Sequence, residues 1–181
     1  MKHESKCSTE FYSLPPFYEH TPIMKKLSYE QLSGLSNEAQ ISPRKRMNHN
    51  FHAELSDPIQ RLAIAMEPET YIRPHRHGGS WELLTSLRGR FVVLTFDDTG
   101  TVIDRSVLGE GISVIETSTA CWHAVLSLDT GGVIFEVKHG PYVPFREDDF
   151  APWSPPADDD ATHVLMDWYR EAEIGQRWPG V

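Results

Sequence analysis

Residues 73–82 read RPHRHGGSWE and place three groups able to bind a metal, His75, His77 and Glu82, within eight positions. In an extended segment side chains two apart share a face, so Tyr71, Arg73, His75 and His77 are expected to point the same way. Pro74 and the Gly78-Gly79 pair put the histidines at the end of that strand. Trp81-Glu82 then opens the return strand, which carries a carboxylate back beside them. A fourth ligand is expected from another strand facing the same interior, and His123, which alternates with Cys121 and Val125, is the candidate. Neutral imidazoles with a carboxylate suit one divalent transition metal: Fe, Mn, Ni, Co or Zn. Four ligands drawn from three strands leave one or two coordination positions for water or substrate, which a catalytic metal requires and a purely structural one does not. A lone His-x-His pair is more often a surface feature, but the Gly-Gly turn, Glu82 and the closing Gly89 favour the metal.

Two further constellations could work beside such a centre. Glu136 and Lys138 fall on one face of GGVIFEVKHGPY, and the pair is either an acid and base for proton transfer or a buried ion pair. Arg46, Asn48, Asn50 and His52 form a face dense in donors. With Arg73 it is expected to border the mouth of the interior and contact an anionic or polyhydroxylated small molecule, the alternative being a charged edge strand in solvent. Tyr71 is a candidate proton donor and Tyr142 a candidate contact for substrate, with aromatic packing as the competing role for both. Gln60 and Arg61 are expected to anchor the loop after His52. Cys121 is read as inert packing.

The elements that must position these residues are short. Leu27, Leu32, Leu35 and Ala39 recur at helical spacing, with Ser28 three before Gln31 as a capping box requires, and Pro43 ends the run. Residues 46–52 alternate as a strand. Between 61 and 143 eight short runs (RLAIAM, ETYIRPH, WELLTSL, RFVVLTF, TVIDRSV, ISVIET, HAVLSL and GVIFEVK) are separated by Gly, Pro and Asp turns, without helical periods between them. The expected fold is mainly β: an antiparallel barrel or jelly roll with a short N-terminal helix and a C-terminal helix. That second helix is placed after Asp158-Asp159-Asp160, whose acids would occupy its first turn. The expected organisation is a flexible arm at 1–26, one barrel with its helical lead-in at 27–155, and a helical extension at 156–181.

A length of 181 residues suits one domain, and 26 acidic against 17 basic residues, a net charge of −9, disfavours nucleic acid and anionic membranes as partners. Two cysteines, Cys7 and Cys121, cannot make a disulfide framework. No apolar stretch is long enough for a signal or a membrane span, so a cytoplasmic location is expected. Nucleotide-binding glycine loops and serine-hydrolase motifs are also missing from the sequence.

The run His75-x-His77-x4-Glu82-x6-Gly89 resembles the first motif of the cupin superfamily, and His123 the histidine of its second. Two features depart from the pattern: Glu69 stands where the leading glycine falls, and TSTACWH lacks the second motif's Pro-x-Gly turn, with no closing Asn. A closer resemblance, over 27 to about 155, is to the cupin-fold metalloproteins of the WbuC family. It is carried by SPRKRMNHNFH, DPIQR, TYIRPHRH, WELLTSLRG, FDDTG, WH, EVKHGPY and FAPWSP. The resemblance implies a cupin barrel with His75, His77, Glu82 and His123 as ligands. Because members of that family are often encoded among genes for surface polysaccharide or nucleotide-sugar synthesis, it also implies a sugar-like substrate. The function expected is a metal-dependent enzyme on a small polar metabolite, of the isomerase or tautomerase type. The alternatives are a non-heme Fe(II) oxygenase and a non-catalytic module that binds a small molecule or metal. Sheet edges or the 1–26 arm offer a route to a homodimer.

Overall fold

The computed structural model describes residues 24–180; the arm expected at 1–26 lies, up to residue 23, outside them. Helix α1 (Tyr29–Ile41) begins where the capping box places it, with the Ser28 hydroxyl accepting from the Gln31 N–H and the Gln31 side chain accepting from the Ser28 N–H. Eight strands follow: β1 (Arg46–Asn50), β2 (Ile59–Met66), β3 (Glu82–Arg88), β4 (Phe91–Phe96), β5 (Val102–Leu108), β6 (Val114–Thr117), β7 (Trp122–Ser127) and β8 (Gly132–His139). Helix α2 (Ala161–Glu171) comes last. The strands pair antiparallel in two sheets, ordered β1-β2-β8-β3-β6 and β5-β4-β7. This is the mainly β, antiparallel two-sheet architecture with an N-terminal and a C-terminal helix that the turn spacing predicts.

The layers explain why so many strands read as unbroken apolar runs. On the outer face of the five-stranded sheet, Ala63, Ala65 and Val133 receive Leu32, Leu35 and Ala39 of α1. On the outer face of the three-stranded sheet, Val92, Leu94, Ala124 and Leu126 pack against Leu165, Met166 and Tyr169 of α2. Between the sheets lie Met66, Leu84, Phe91, Val93, Val125 and Ile134. Strands β4 and β7 are thus buried on both faces, and alternation disappears from their sequences. The turn into β8 is equally tight. A Cβ on Gly132 would stand 2.6 Å from the Ser127 hydroxyl and 2.9 Å from the Phe91 ring, so only glycine fits.

Two local expectations are corrected. ETYIRPH is not a strand: the segment is extended but makes only isolated bridges at His75, to His123 and to Phe150. Pro74 has no N–H to give a ladder, although its carbonyl accepts from Ala151. The acids before α2 do not enter its first turn. They precede it, and the Asp159 carboxylate accepts the Ala161 N–H at 2.8 Å. Among the described residues no helix is long and apolar enough to cross a membrane.

Candidate metal centre and its cavity

Strand register decides which side chains share the interior. Glu82 opens β3 opposite Thr117 on β6 and Lys138 on β8, and Lys138 in turn stands opposite Gln60 on β2. One row further along, Leu84, Glu136, Leu62 and Asn50 line up across β3, β8, β2 and β1. The opposing sheet contributes His123 from β7. His75 reaches it without a strand, since the two histidines exchange backbone N–H···O bonds of 3.0 and 2.9 Å. That single bridge does the work expected of a full ladder.

The result is a cluster of His75, His77, Glu82 and His123 whose ligand atoms all lie within 4.8 Å of one another. A first-row ion sits about 2.0–2.2 Å from nitrogen and oxygen ligands, so opposite ligands stand roughly 4.2 Å apart, and this set can close around one ion. The ring orientations agree. Nδ1 of His75 donates to the Arg73 carbonyl and Nδ1 of His123 to the Cys121 carbonyl, both at 2.9 Å. With its proton on Nδ1, each neutral ring turns the Nε2 lone pair inward. His77 Nε2 lies 3.2 Å from Glu82 Oε1. His123 Nε2 lies 3.1 Å from Glu82 Oε2 but without hydrogen-bond alignment, which leaves a buried nitrogen with no partner. An orphaned buried donor atom among three others is what a metal site looks like from its protein side.

Charges in the cluster are mutually adjusted. Burial, followed by the charge of His123, holds His75 well below its ordinary value. Burial works against the Glu82 carboxylate, yet its contacts with His123 and His77 prevail and hold it well below the usual carboxylate range. Next to it Lys138 Nζ stands 2.7 Å from Glu136 Oε1 and 3.6 Å from Glu82 Oε1. The closer contact is an ion pair, not an aligned hydrogen bond. Burial, then the charge of Glu82, pushes Glu136 up to about 7 even though Lys138 pulls it down.

That shift sets a pH dependence. A carboxyl whose folded value (about 7) exceeds its ordinary 4.5 contributes stability that is fully present below pH 4.5 and lost as pH rises through 7. In metal-stripped protein, Glu136→Gln is therefore expected to gain on the wild type between pH 5 and pH 8. Urea midpoints of both proteins at the two pH values check this, and parallel midpoints would remove the assignment.

Beside the cluster opens a cavity of about 500 Å³ whose lining includes His75, Glu82, Glu136 and Lys138. Arg46, Asn48, Asn50, His52 and Tyr142 line it too, together with Arg44, to which no sequence pattern points. The apolar part of its wall is Leu62, Ile64, Met66, Leu84, Val125 and Ile134. Burial, followed by the charge of Arg44, lowers the Arg46 pKa against the attraction of Glu136 and Tyr142. Gln60 gives both amide hydrogens to the carbonyls of Leu55 and Asp57 and so holds the loop after His52, with Arg61 Nη2 3.5 Å from Asp57.

Two residues expected beside the histidines lie elsewhere. The Tyr71 hydroxyl donates to the Pro155 carbonyl at 2.8 Å, and its ring packs into the cluster under α2. Arg73 binds Glu147 at 3.0 Å and the Ser154 hydroxyl at 3.1 Å, with its guanidinium over the Phe150 ring. The i, i+2 rule needs a strand, and before Pro74 there is none. Phe145, in contrast, was not foreseen, and its ring centroid stands 4.7 Å from that of His75 and 5.3 Å from that of His77. It belongs to an aperiodic, proline-rich loop, where no pattern points to a partner. With Gln60, Lys138 and Tyr142 it also lines a second cavity of about 590 Å³.

Residues 27–108 match a family model described as a domain of unknown function, DUF6016. No curated protein sequence matches the chain. Among solved structures, the chain is similar to KdgF from Halomonas sp. (13% identity, 60% of this chain and 87% of that one, TM-score 0.44). It is similar to the capsular polysaccharide assembling protein CapF from Staphylococcus aureus, at 14% identity over 61% of this chain and 29% of that one, with a TM-score of 0.47. A cupin 2 domain-containing protein from Halorhodospira halophila shares 14% identity over 72% of this chain and 85% of that one, with a TM-score of 0.45. These are remote likenesses of shape, and the chemistry has to be read from the side chains themselves.

Proposed function

We propose that the protein is a cupin of the WbuC type, acting in the cytoplasm as a metal-dependent enzyme on a small polar metabolite that carries a carbonyl group. Its reaction is an isomerisation or tautomerisation, and a sugar or nucleotide-sugar derivative is the class suggested by the WbuC likeness. The observation that carries this reading is the position of Glu136, buried in the cavity wall one strand from the ligand Glu82 and paired with Lys138 at 2.7 Å. A divalent ion held by His75, His77, Glu82 and His123 would supply positive charge to polarise the carbonyl and acidify the neighbouring C–H. In an isomerisation of an α-hydroxy carbonyl, Glu136 would take that proton and return it to the former carbonyl carbon, while the α-hydroxyl proton passes to the former carbonyl oxygen. Burial, the largest influence on Glu136, raises its carboxyl above the ordinary range and so towards the neutral pH at which it would have to take and give a proton. Lys138 stabilises the carboxylate form, and the apolar wall limits water around it. Tyr71 has no part, with its hydroxyl committed to Pro155.

The test is hydrogen exchange. Metal-loaded protein incubated anaerobically with a keto sugar in deuterium oxide is expected to exchange the proton next to the carbonyl, as followed by proton NMR. Glu136→Gln should lose at least about a hundredfold of that rate, general acid–base catalysis being worth about 10²–10⁴, and should keep its metal. Oxygen uptake by the iron form without exchange would instead mark an oxygenase. Tight binding with neither reaction would mark a non-catalytic module.

A further inference from the structure

We propose that Arg44 and Arg46 form an anion subsite at the rim of the cavity, and that the substrate is an organic acid. Its anionic end group sits on these guanidiniums, its hydrocarbon middle lies on the β2–β3–β8 wall and its carbonyl end reaches the metal centre. For the carbonyl end this rests on the function proposed above and narrows its substrate class; the anion subsite stands on its own geometry.

Partnership is the first observation. Arg61, Arg73, Arg90, Arg146 and Arg170 each pair with an Asp or Glu. Arg88, Arg105 and Arg177 donate to backbone carbonyls instead, and the Arg76 guanidinium lies over the Trp122 ring. Among the described residues the side chains of Arg44 and Arg46, both in the cavity lining, make no hydrogen bond and no ion pair. Arg46 is half-buried on the inner face of β1, opposite Met66. Two like charges brought together at a partly desolvated rim cost free energy that an incoming carboxylate or phosphate offsets, through the paired N–H fork that guanidinium offers such groups. Asn48 and Asn50, joined to each other at 2.8 Å, continue the polar edge along β1.

The second observation is what lies between that rim and the metal centre. Leu62, Ile64, Met66, Leu84 and Ile134 point into the cavity from consecutive rows of β2, β3 and β8, with Val125 facing them from β7. A ligand studded with hydroxyls would leave them unpaired against this surface, and each unpaired hydroxyl is costly. An aliphatic or deoxygenated middle would not. A polar head, an apolar body and a reactive carbonyl define the ligand more narrowly than the ligand set alone does.

The experiment uses the full chain loaded with Co(II) and four probes: 6-oxoheptanoate, 5-oxohexyl phosphate, the uncharged 2-heptanone and, for metal-free protein, heptanoate. Calorimetry measures affinity, and the cobalt absorption band reports arrival of the carbonyl. The acids are expected to bind at least about tenfold tighter than 2-heptanone, as charge-assisted hydrogen bonds imply. Arg46→Gln and the Arg44→Gln/Arg46→Gln double variant should lose that advantage while binding 2-heptanone unchanged, which also shows that they are folded. Arg46→Lys should retain part of it. Preference for the carboxylate or the phosphate probe identifies the end group. Acid affinities unchanged in the double variant would overturn the subsite. Heptanoate binding to metal-free protein keeps the subsite testable if the metal reading fails, because a chain that takes no cobalt yet binds heptanoate through Arg46 refutes only the earlier proposal.

Discussion

Replacing His123 with alanine is expected to lower the affinity for a divalent metal by more than about a hundredfold. Groups that merely orient a ligand are worth about 10–100-fold each, and His123 is a ligand itself. The side chain is almost wholly buried, its Nδ1 is spent on the Cys121 carbonyl and its Nε2 has no other hydrogen-bond partner. Its removal therefore takes a donor that no neighbour can replace and leaves Glu82 facing a hole. Metal content after gel filtration should fall from about one ion per chain to a trace. The loss also shows in stability: an ion at about a thousand times its Kd raises the wild-type unfolding free energy by about 4 kcal/mol, and at the same ion concentration a variant weakened more than a hundredfold should rise by less than about 1.4 kcal/mol. Retention of a full equivalent by His123→Ala would remove the proposed centre. His139→Ala, a histidine outside the cluster, is the matched control.

Lys138→Met is the second large effect, and it concerns the fold before the chemistry. The ammonium is the positive group between Glu136 at 2.7 Å and Glu82 at 3.6 Å, with only 20% of its side chain exposed. Deleting it leaves two buried carboxyls side by side without a cation. Glu136 then takes up a proton at neutral pH, and the loss should approach about 3–5 kcal/mol, the cost of a broken buried pair, as pH rises and that proton is removed. Chemical denaturation of metal-free protein should show that loss. Lys138→Met/Glu136→Gln should recover much of it, because the uncompensated charge goes with its partner. Metal should recover part of it as well, by neutralising Glu82. A Lys138→Met protein as stable as the wild type without metal would mean that the pair is screened by solvent and Glu136 is no isolated base.

How far the sequence foretold this molecule depends on the kind of signal each part emits. Turn glycines and the Ser28–Gln31 box act over a few residues, so seven of the eight strands expected between turns, and the start of α1, were legible. The four clustered side chains were legible because spacing and residue type coincide. Where the reading failed, it relied on a rule whose premise was absent: Tyr71 and Arg73 share a face with His75 only in a strand, and Pro74 prevents one. The cavity wall was illegible for another reason. Leu62, Ile64 and Met66 alternate in β2 just as core residues do, and nothing local tells a side chain that fills space from one that borders it. Arg44 and Phe145 come from segments with no period, where position is set by distant contacts.

The reciprocal bridge between His75 and His123 bears on how the protein would acquire an ion. Each ring is steered by the carbonyl two residues before it, within backbone already fastened in both directions. Two of the four ligands are thus oriented by the protein's own hydrogen bonds, which leaves less for an entering ion to arrange and so less to reward a correct guest over a wrong one. Selection then falls to intrinsic coordination strength, which rises from manganese to copper, and to what the cell leaves free. An ion found in protein taken from cells would then record supply, and growth media differing in trace elements should yield different ions in the same site.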